Sequence, residues 1–188
     1  MTPNNPHRRN IVIAAQRLFR RQGYAATGIN DIIGKSGAPK GSLYYYFPAG
    51  KEQIAVAAIE GAGGLVADTF RDLAERASGP TDFIHTYLTL LGQWLEMSGY
   101  RDGCPIATTL LETAPESSAI TDAGRNVLDD WRQILADMLI RHGVDEDTAP
   151  ADANLIMSAI EGAMLLARTE QSRKPLQDVA DRLSRLYD

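Results

Sequence analysis

Residues Gly37 to Phe47 read G-A-P-K-G-S-L-Y-Y-Y-F. Gly37 supplies a tight turn, because glycine enters backbone conformations that a side chain disfavours. Pro39 suits the first turn of a helix, where its missing N–H does no harm. Leu43 and Phe47, four residues apart, fall on one face of that helix and point back into a core. Lys40, Gly41 and Ser42 lead from its N-terminal end. The consecutive tyrosines Tyr44, Tyr45 and Tyr46 cannot all be buried, since successive helical residues are about 100° apart. At least one phenol faces outward, where a phosphate is a natural acceptor. Tyr46 is expected mainly to wall the small core.

Upstream, Ile11, Ala15, Leu18 and Phe19 recur at helical spacing between Arg8 and Gln22, with Arg17, Arg20 and Arg21 on other faces. Gly23 stops that helix. Thr27 is expected to cap a second helix, which carries Ile29, Ile32 and Ile33 and ends near Ser36 and Gly37. Three short helices result, the last two tightly coupled. That is a helix-turn-helix, whose second helix enters the major groove of DNA with its N-terminal residues forward.

The charge pattern supports a nucleic-acid partner for this end only. The whole chain of 188 residues carries a formal charge of -5. Residues 1–51 nevertheless hold eight bases against one acid, a net +7, and the remainder holds 11 bases against 23 acids, a net -12. A basic module joined to an acidic one is expected where only the first touches phosphate. Solvation of a helix face by the arginines is the plainer alternative.

The run G-Y-A-A-T-G-I-N-D-I from Gly23, followed by G-A-P-K-G-S-L-Y-Y-Y-F, resembles the TetR-type transcriptional regulators. The motif covers residues 8 to about 60, and the rest of the chain is similar only in its helical organisation. The resemblance implies phosphate or base contacts from Thr27, Lys40, Gly41, Ser42, Tyr44 and Tyr45, with Lys51 at the start of a fourth helix. Leu43 and Phe47 match structural positions. Departures from the usual pattern are Ile33, Gly34 and Ser36, with Pro39 where a capping serine is common. Gly34 costs the second helix up to about 1 kcal/mol. One extra residue in F-P-A-G-K-E-Q-I, together with G-C-P-I-A at Gly103 to Ala107, resembles the LmrA/YxaF-like subgroup. That subgroup implies control of drug or small-aromatic response genes.

Beyond Lys51 the apolar residues Ile54, Ala58, Ala62, Val66 and Leu73 mark a long helix containing Gly61, Gly63 and Gly64. These glycines fit either a compliant connector or close helix packing. Gly79-Pro80 precedes a helix with Phe83, Tyr87, Leu91, Trp94 and Leu95 that ends near Gly99. Cys104 to Leu111 forms a short helix closed near Pro115. The next runs from about Ser118 to Gly143, and Pro150 and Pro175 open the last two. The chain is therefore expected to be all-α, with about nine helices. Residues 1–50 would form a helix-turn-helix DNA-binding domain and 51–188 a helical ligand-binding and dimerisation domain.

Phe83, Tyr87, Trp94, Met97, Trp131, Met138, Met157 and Met164 offer aromatic and thioether surface suited to an apolar or aromatic ligand, or equally an ordinary core. Glu161 interrupts the apolar run M-S-A-I-E-G-A-M-L-L-A, where a carboxylate needs a partner. A ligand, Arg168 or a second subunit could supply it. Leu155, Ala159, Ala163 and Leu166 on the penultimate helix, and Leu176, Val179 and Leu183 on the last, are candidates for an intersubunit bundle. The resemblance implies the same homodimer.

Catalytic readings fail on spacing. His7, His85 and His142 are scattered and make no metal-ligand pattern. Gly34-Lys35-Ser36 follows no strand and lacks a correctly placed earlier glycine, and Gly61-Ala62-Gly63-Gly64 is not a dinucleotide fingerprint. No cofactor and no metal are expected. One cysteine, Cys104, precludes an internal disulfide and suits a reducing cytoplasm. Met1 to Asn10 lacks the apolar stretch of a signal peptide, and no segment is apolar enough for a membrane span. The reading is a ligand-responsive homodimeric repressor of a near-palindromic operator. An activator, a nonspecific architectural DNA-binding protein, or a helical interaction protein without DNA reading stand as alternatives.

Overall fold

The computed structural model describes residues 5–187. Among these are nine helices and no strand: α1 (Pro6–Gln22), α2 (Ile29–Ser36), α3 (Lys40–Tyr46), α4 (Lys51–Arg76), α5 (Pro80–Met97), α6 (Ala107–Thr113), α7 (Ser118–Arg141), α8 (Ala149–Glu170) and α9 (Lys174–Ser184). By packing, Met1–Gly64 with Cys104–Val127 forms one compact unit and Leu65–Gly103 with Leu128–Asp188 the other. The division expected at residue 50 concerned function, and packing divides the chain elsewhere. Packing instead takes the first half of α4, all of α6 and the start of α7 into the first unit.

In that unit α1 packs on α2, α3 and α6. Ile11, Ala15, Phe19, Ile32, Leu43, Phe47, Ile54 and Ile59 are buried. The Asn5 side chain accepts the His7 N–H at 2.9 Å, and Pro6 occupies the first turn of α1. Gly23 ends α1 at φ 84, a left-handed value that glycine tolerates.

The cap of α2 differs from expectation. Gly28 is the capping residue, and its N–H donates at 2.8 Å to Asp31, an acid well placed beside the positive end of a helix. Thr27 is fully buried, and its hydroxyl donates to the Gly23 carbonyl at 2.7 Å. A hydroxyl committed to a carbonyl four residues back has no proton left to direct elsewhere. Pro39 sits one position before α3 rather than inside it.

Helix α6 also starts later than expected, at Ala107. Cys104 belongs to the preceding turn, where its carbonyl accepts the Thr108 hydroxyl at 2.8 Å and its sulfur accepts the Ala107 N–H at 3.4 Å.

The α4 glycines separate into two kinds. A Cβ on Gly63 would overlap the Val127 methyl groups, and one on Gly61 would come within 2.7 Å of Gln16 Nε2. Close packing against the branched Val127 therefore makes the buried Gly63, whereas the neighbour of the exposed Gly61 is the movable end of Gln16. Gly64 is exposed, with nothing within 4 Å of the same point.

The second unit is centred on Phe70, whose ring meets Tyr87 edge-on at 4.7 Å, Phe83 at 5.7 Å and Trp131 at 6.0 Å. Helix α9 packs against α5 and α8. Gly92 faces this contact, where a Cβ would lie 3.3 Å from the Arg173 side chain and 3.5 Å from Leu176. Tyr187 donates to Asp152 at 3.2 Å, and burial, followed by the Asp152 charge, raises its phenol pKa.

Gly64→Ala is expected to raise stability by about 0.5–1 kcal/mol, and Gly63→Ala to lower it by about 1–3 kcal/mol. Urea unfolding of the two variants checks both signs; a loss on Gly64→Ala would show that this glycine serves more than helix continuity.

Candidate nucleic-acid interface and effector region

Only one face of α3 is available to a partner. Leu43 and Phe47 are buried, while Lys40 and Gly41 are exposed, Ser42 is half-buried, and Tyr44 and Tyr45 are 50% and 78% exposed. Tyr46 is half-buried with its ring edge-on to Tyr45 at 4.9 Å. The N-terminal end of α3 and two phenols thus share the accessible side, an arrangement suited to phosphate oxygens and base edges. Thr27 does not join them. Its buried hydroxyl is unavailable to a phosphate in this conformation, so the expected contact from its side chain is corrected.

Lys51, at the first residue of α4, sits with its Nζ 4.1 Å from the centroid of the Tyr24 ring. Burial lowers its pKa, and the Glu112 carboxylate opposes that shift. Two further residues near this surface escaped the sequence reading. The Arg8 guanidinium lies 5.5 Å from the Phe47 ring centroid, and Glu112 accepts the backbone N–H groups of Tyr24 at 3.1 Å and Ala25 at 2.6 Å. The arginine was visible as part of the basic N-terminal run. Nothing in the local sequence of α6 announces the second contact, which joins residues 88 and 87 positions apart.

The proposed effector residues divide. Phe83, Tyr87, Trp131, Met138, Met157 and Met164 are buried. Three of these rings form the cluster around Phe70, a residue absent from the expected set, so their contacts are those of a packed aromatic core. Trp94 and Met97 lie near the end of α5 and are 42% and 85% exposed. Helical spacing puts both on the side of α5 that carries Phe83 and Tyr87, but at this end of the helix that side is exposed, so they do not join the buried set. Glu161 is half-buried, and Arg168 donates to the Arg101 carbonyl at 3.2 Å.

The candidate dimer residues divide as well. Leu155 and Leu166 are exposed and Ala159 is half-buried. Leu165, also exposed, was overlooked, and with Ser158 and Gly162 it completes an outward stripe on α8. Ala163, Leu176 and Leu183 are buried within the chain itself and are corrected to core, since the α9 face that carries the two leucines packs on α5 and α8. Val179 is half-buried.

Among the described residues no group of three or more His, Cys, Asp or Glu side chains could hold a metal ion, and no helix is long and apolar enough to cross a membrane. Residues 11–58 match the bacterial regulatory proteins of the tetR family, and residues 80–182 match the C-terminal domain of LmrA/YxaF-like transcriptional regulators. The HTH-type transcriptional regulator YxaF of Bacillus subtilis is 33% identical over 97% of this chain and 96% of its own. LmrA of the same organism, also an HTH-type transcriptional regulator, is 34% identical over 92% of each. A crystal structure of a TetR transcriptional regulator from Chloroflexus aurantiacus superimposes with a TM-score of 0.76 at 30% identity, covering 95% of this chain and 92% of that one. With a helix-turn-helix and these matches along its length, the chain belongs to the TetR family of transcriptional regulators.

Proposed function

We propose that this regulator acts as a homodimeric repressor, binds a near-palindromic operator, and is released by a small apolar or aromatic effector. The observation that carries the reading is the sidedness of α3, with Leu43 and Phe47 buried and Lys40, Tyr44 and Tyr45 outward. Residues 1–50 read DNA in this scheme, and residues 51–188 bind effector and form the dimer. Lys40, Tyr44, Tyr45 and Lys51 hold phosphates and set register, while Lys40 to Ser42 supply the few base contacts. Two such helices engage half-sites about 34–36 Å apart, or a multiple of that distance.

The α8 stripe of Leu155, Leu165 and Leu166, relieved by Ser158, Ala159 and Gly162, supports the dimer. Leucines at helical spacing with small residues between them allow close pairing with a second copy. The effector class is read from the aromatic and thioether side chains outside the Phe70 cluster, Trp94, Met97, Met138, Met157 and Met164. An effector acts only through preference for the conformation that cannot bind DNA, and a coupling of about 1–3 kcal/mol lowers operator affinity about 5–150-fold.

The deciding experiment is fluorescence anisotropy with the chain's own upstream DNA and scrambled DNA at several salt concentrations, with aromatic compounds added. Selective binding released by a compound is expected; absence of selectivity, including in a random-sequence selection, would overturn the repressor reading. Lys51→Ala is expected to weaken binding and reduce the slope of log K against log salt by about 0.9 for each phosphate it leaves unneutralised. Leu166→Glu is expected to shift the chain from dimer to monomer in sedimentation, since a buried unpaired carboxylate at the interface is costly. A persistent dimer would move the interface away from this stripe.

A further inference from the structure

We propose that Glu112, on α6, is a positioning residue of the DNA-binding surface: its carboxylate fixes the α1–α2 turn and thereby the Tyr24 ring on which Lys51 is held. The inference rests on the reading of Lys51 as a phosphate contact and extends it to a residue far outside the helix-turn-helix. Glu112 accepts the Tyr24 N–H through Oε1 at 3.1 Å and the Ala25 N–H through Oε2 at 2.6 Å. Two adjacent backbone N–H groups converging on one anion form a small nest, and charge-assisted bonds of this kind are stronger than neutral ones. Gly23 is required beside them, because a Cβ there would overlap the Glu112 carboxylate.

The turn so fixed carries the Tyr24 ring, which also packs on Phe19 at 5.5 Å. Lys51 Nζ lies 4.1 Å from the centroid of that ring. A cation over an aromatic face is attracted to it and retains hydrogen-bonding directions for a further partner. The neighbouring Glu52 accepts the Ser117 hydroxyl at 2.5 Å, so the start of α4 is gripped from the α6–α7 junction as well. Glu112 also opposes the effect of burial on the Lys51 charge. The segment from Glu112 to Ser117 thus holds both the platform beneath Lys51 and the backbone next to it.

The sign of the effect separates positioning from bulk electrostatics. Glu112→Gln keeps the side-chain shape and removes a negative charge, so long-range attraction to DNA alone would strengthen binding. Positioning requires the opposite, a fall of about threefold to tenfold in the full-length protein as a charge-assisted hydrogen bond is replaced by a weaker one. The test measures affinity for a DNA site selected from a random library, as a function of salt, for the wild type, Glu112→Gln, Tyr24→Leu, Lys51→Ala and the Glu112→Gln/Lys51→Ala pair. Glu112→Gln and Tyr24→Leu are expected to flatten the salt slope as Lys51→Ala does, by about 0.9 per phosphate, and the double variant to flatten it no further. Thermal unfolding identifies any variant that has not folded, and the other of the first two then decides. A wild-type slope with unchanged or tighter binding in Glu112→Gln overturns the positioning role alone. An unchanged slope in Lys51→Ala removes the phosphate contact itself, and this proposal with it.

Discussion

A helix of seven residues is not stable in water, because the cost of nucleating the first turn exceeds what so few hydrogen bonds return. Helix α3 has that length. Its existence therefore depends on Leu43 and Phe47, which are buried in the core of the first unit. With these two side chains committed inward, rotation of α3 about its axis is fixed. The outward placement of Lys40, Tyr44 and Tyr45 follows from that constraint rather than from any preference of their own. The outward residues can accordingly differ without unseating the helix. Arg8 over the Phe47 ring extends the same packing to the start of α1.

The elements that were legible in the sequence are those governed by local chemistry. Gly23, Gly37, Pro80, Pro150 and Pro175 punctuate the helices because their backbone preferences hold in any context. The apolar spacing of α1 and α3 likewise survives into the structure, since an amphipathic face has one inside. Boundaries set by competition were less legible. Thr27 reads as the start of α2, whereas Gly28 with Asp31 caps it and the Thr27 hydroxyl is bonded instead to the Gly23 carbonyl inside the protein. At Cys104 the local pattern suggested helix, whereas the turn before Ala107 is held by a hydroxyl–carbonyl bond from Thr108 and an N–H to sulfur contact.

Apolar residues were harder to allot, because spacing gives a face without saying what covers it. Leu176 and Leu183 share a face of α9 that the chain's own α5 and α8 bury. Leu165 and Leu166 are neighbours with similar exposure, yet only one fitted the spacing first chosen. Phe70 was missed for a related reason. A phenylalanine at helical spacing in α4 reads as one core residue among many, and its place among three other rings arises from segments far apart in sequence.

Glu112 shows how far such long-range constraints reach into the DNA-binding surface. An acid in a unit that must approach phosphate is electrostatically unfavourable at long range, so its presence calls for a local compensation. The two N–H groups of the α1–α2 turn provide it, since each would otherwise need a water or another acceptor. The absence of a side chain at Gly23 is the steric counterpart of the same contact. A glycine that reads in sequence only as a helix stop therefore serves two requirements at once, a left-handed backbone and room for a carboxylate. Substituting it would strain the first and displace the second, which is why the α1–α2 turn and α6 must be considered together even though one lies in the helix-turn-helix and the other does not.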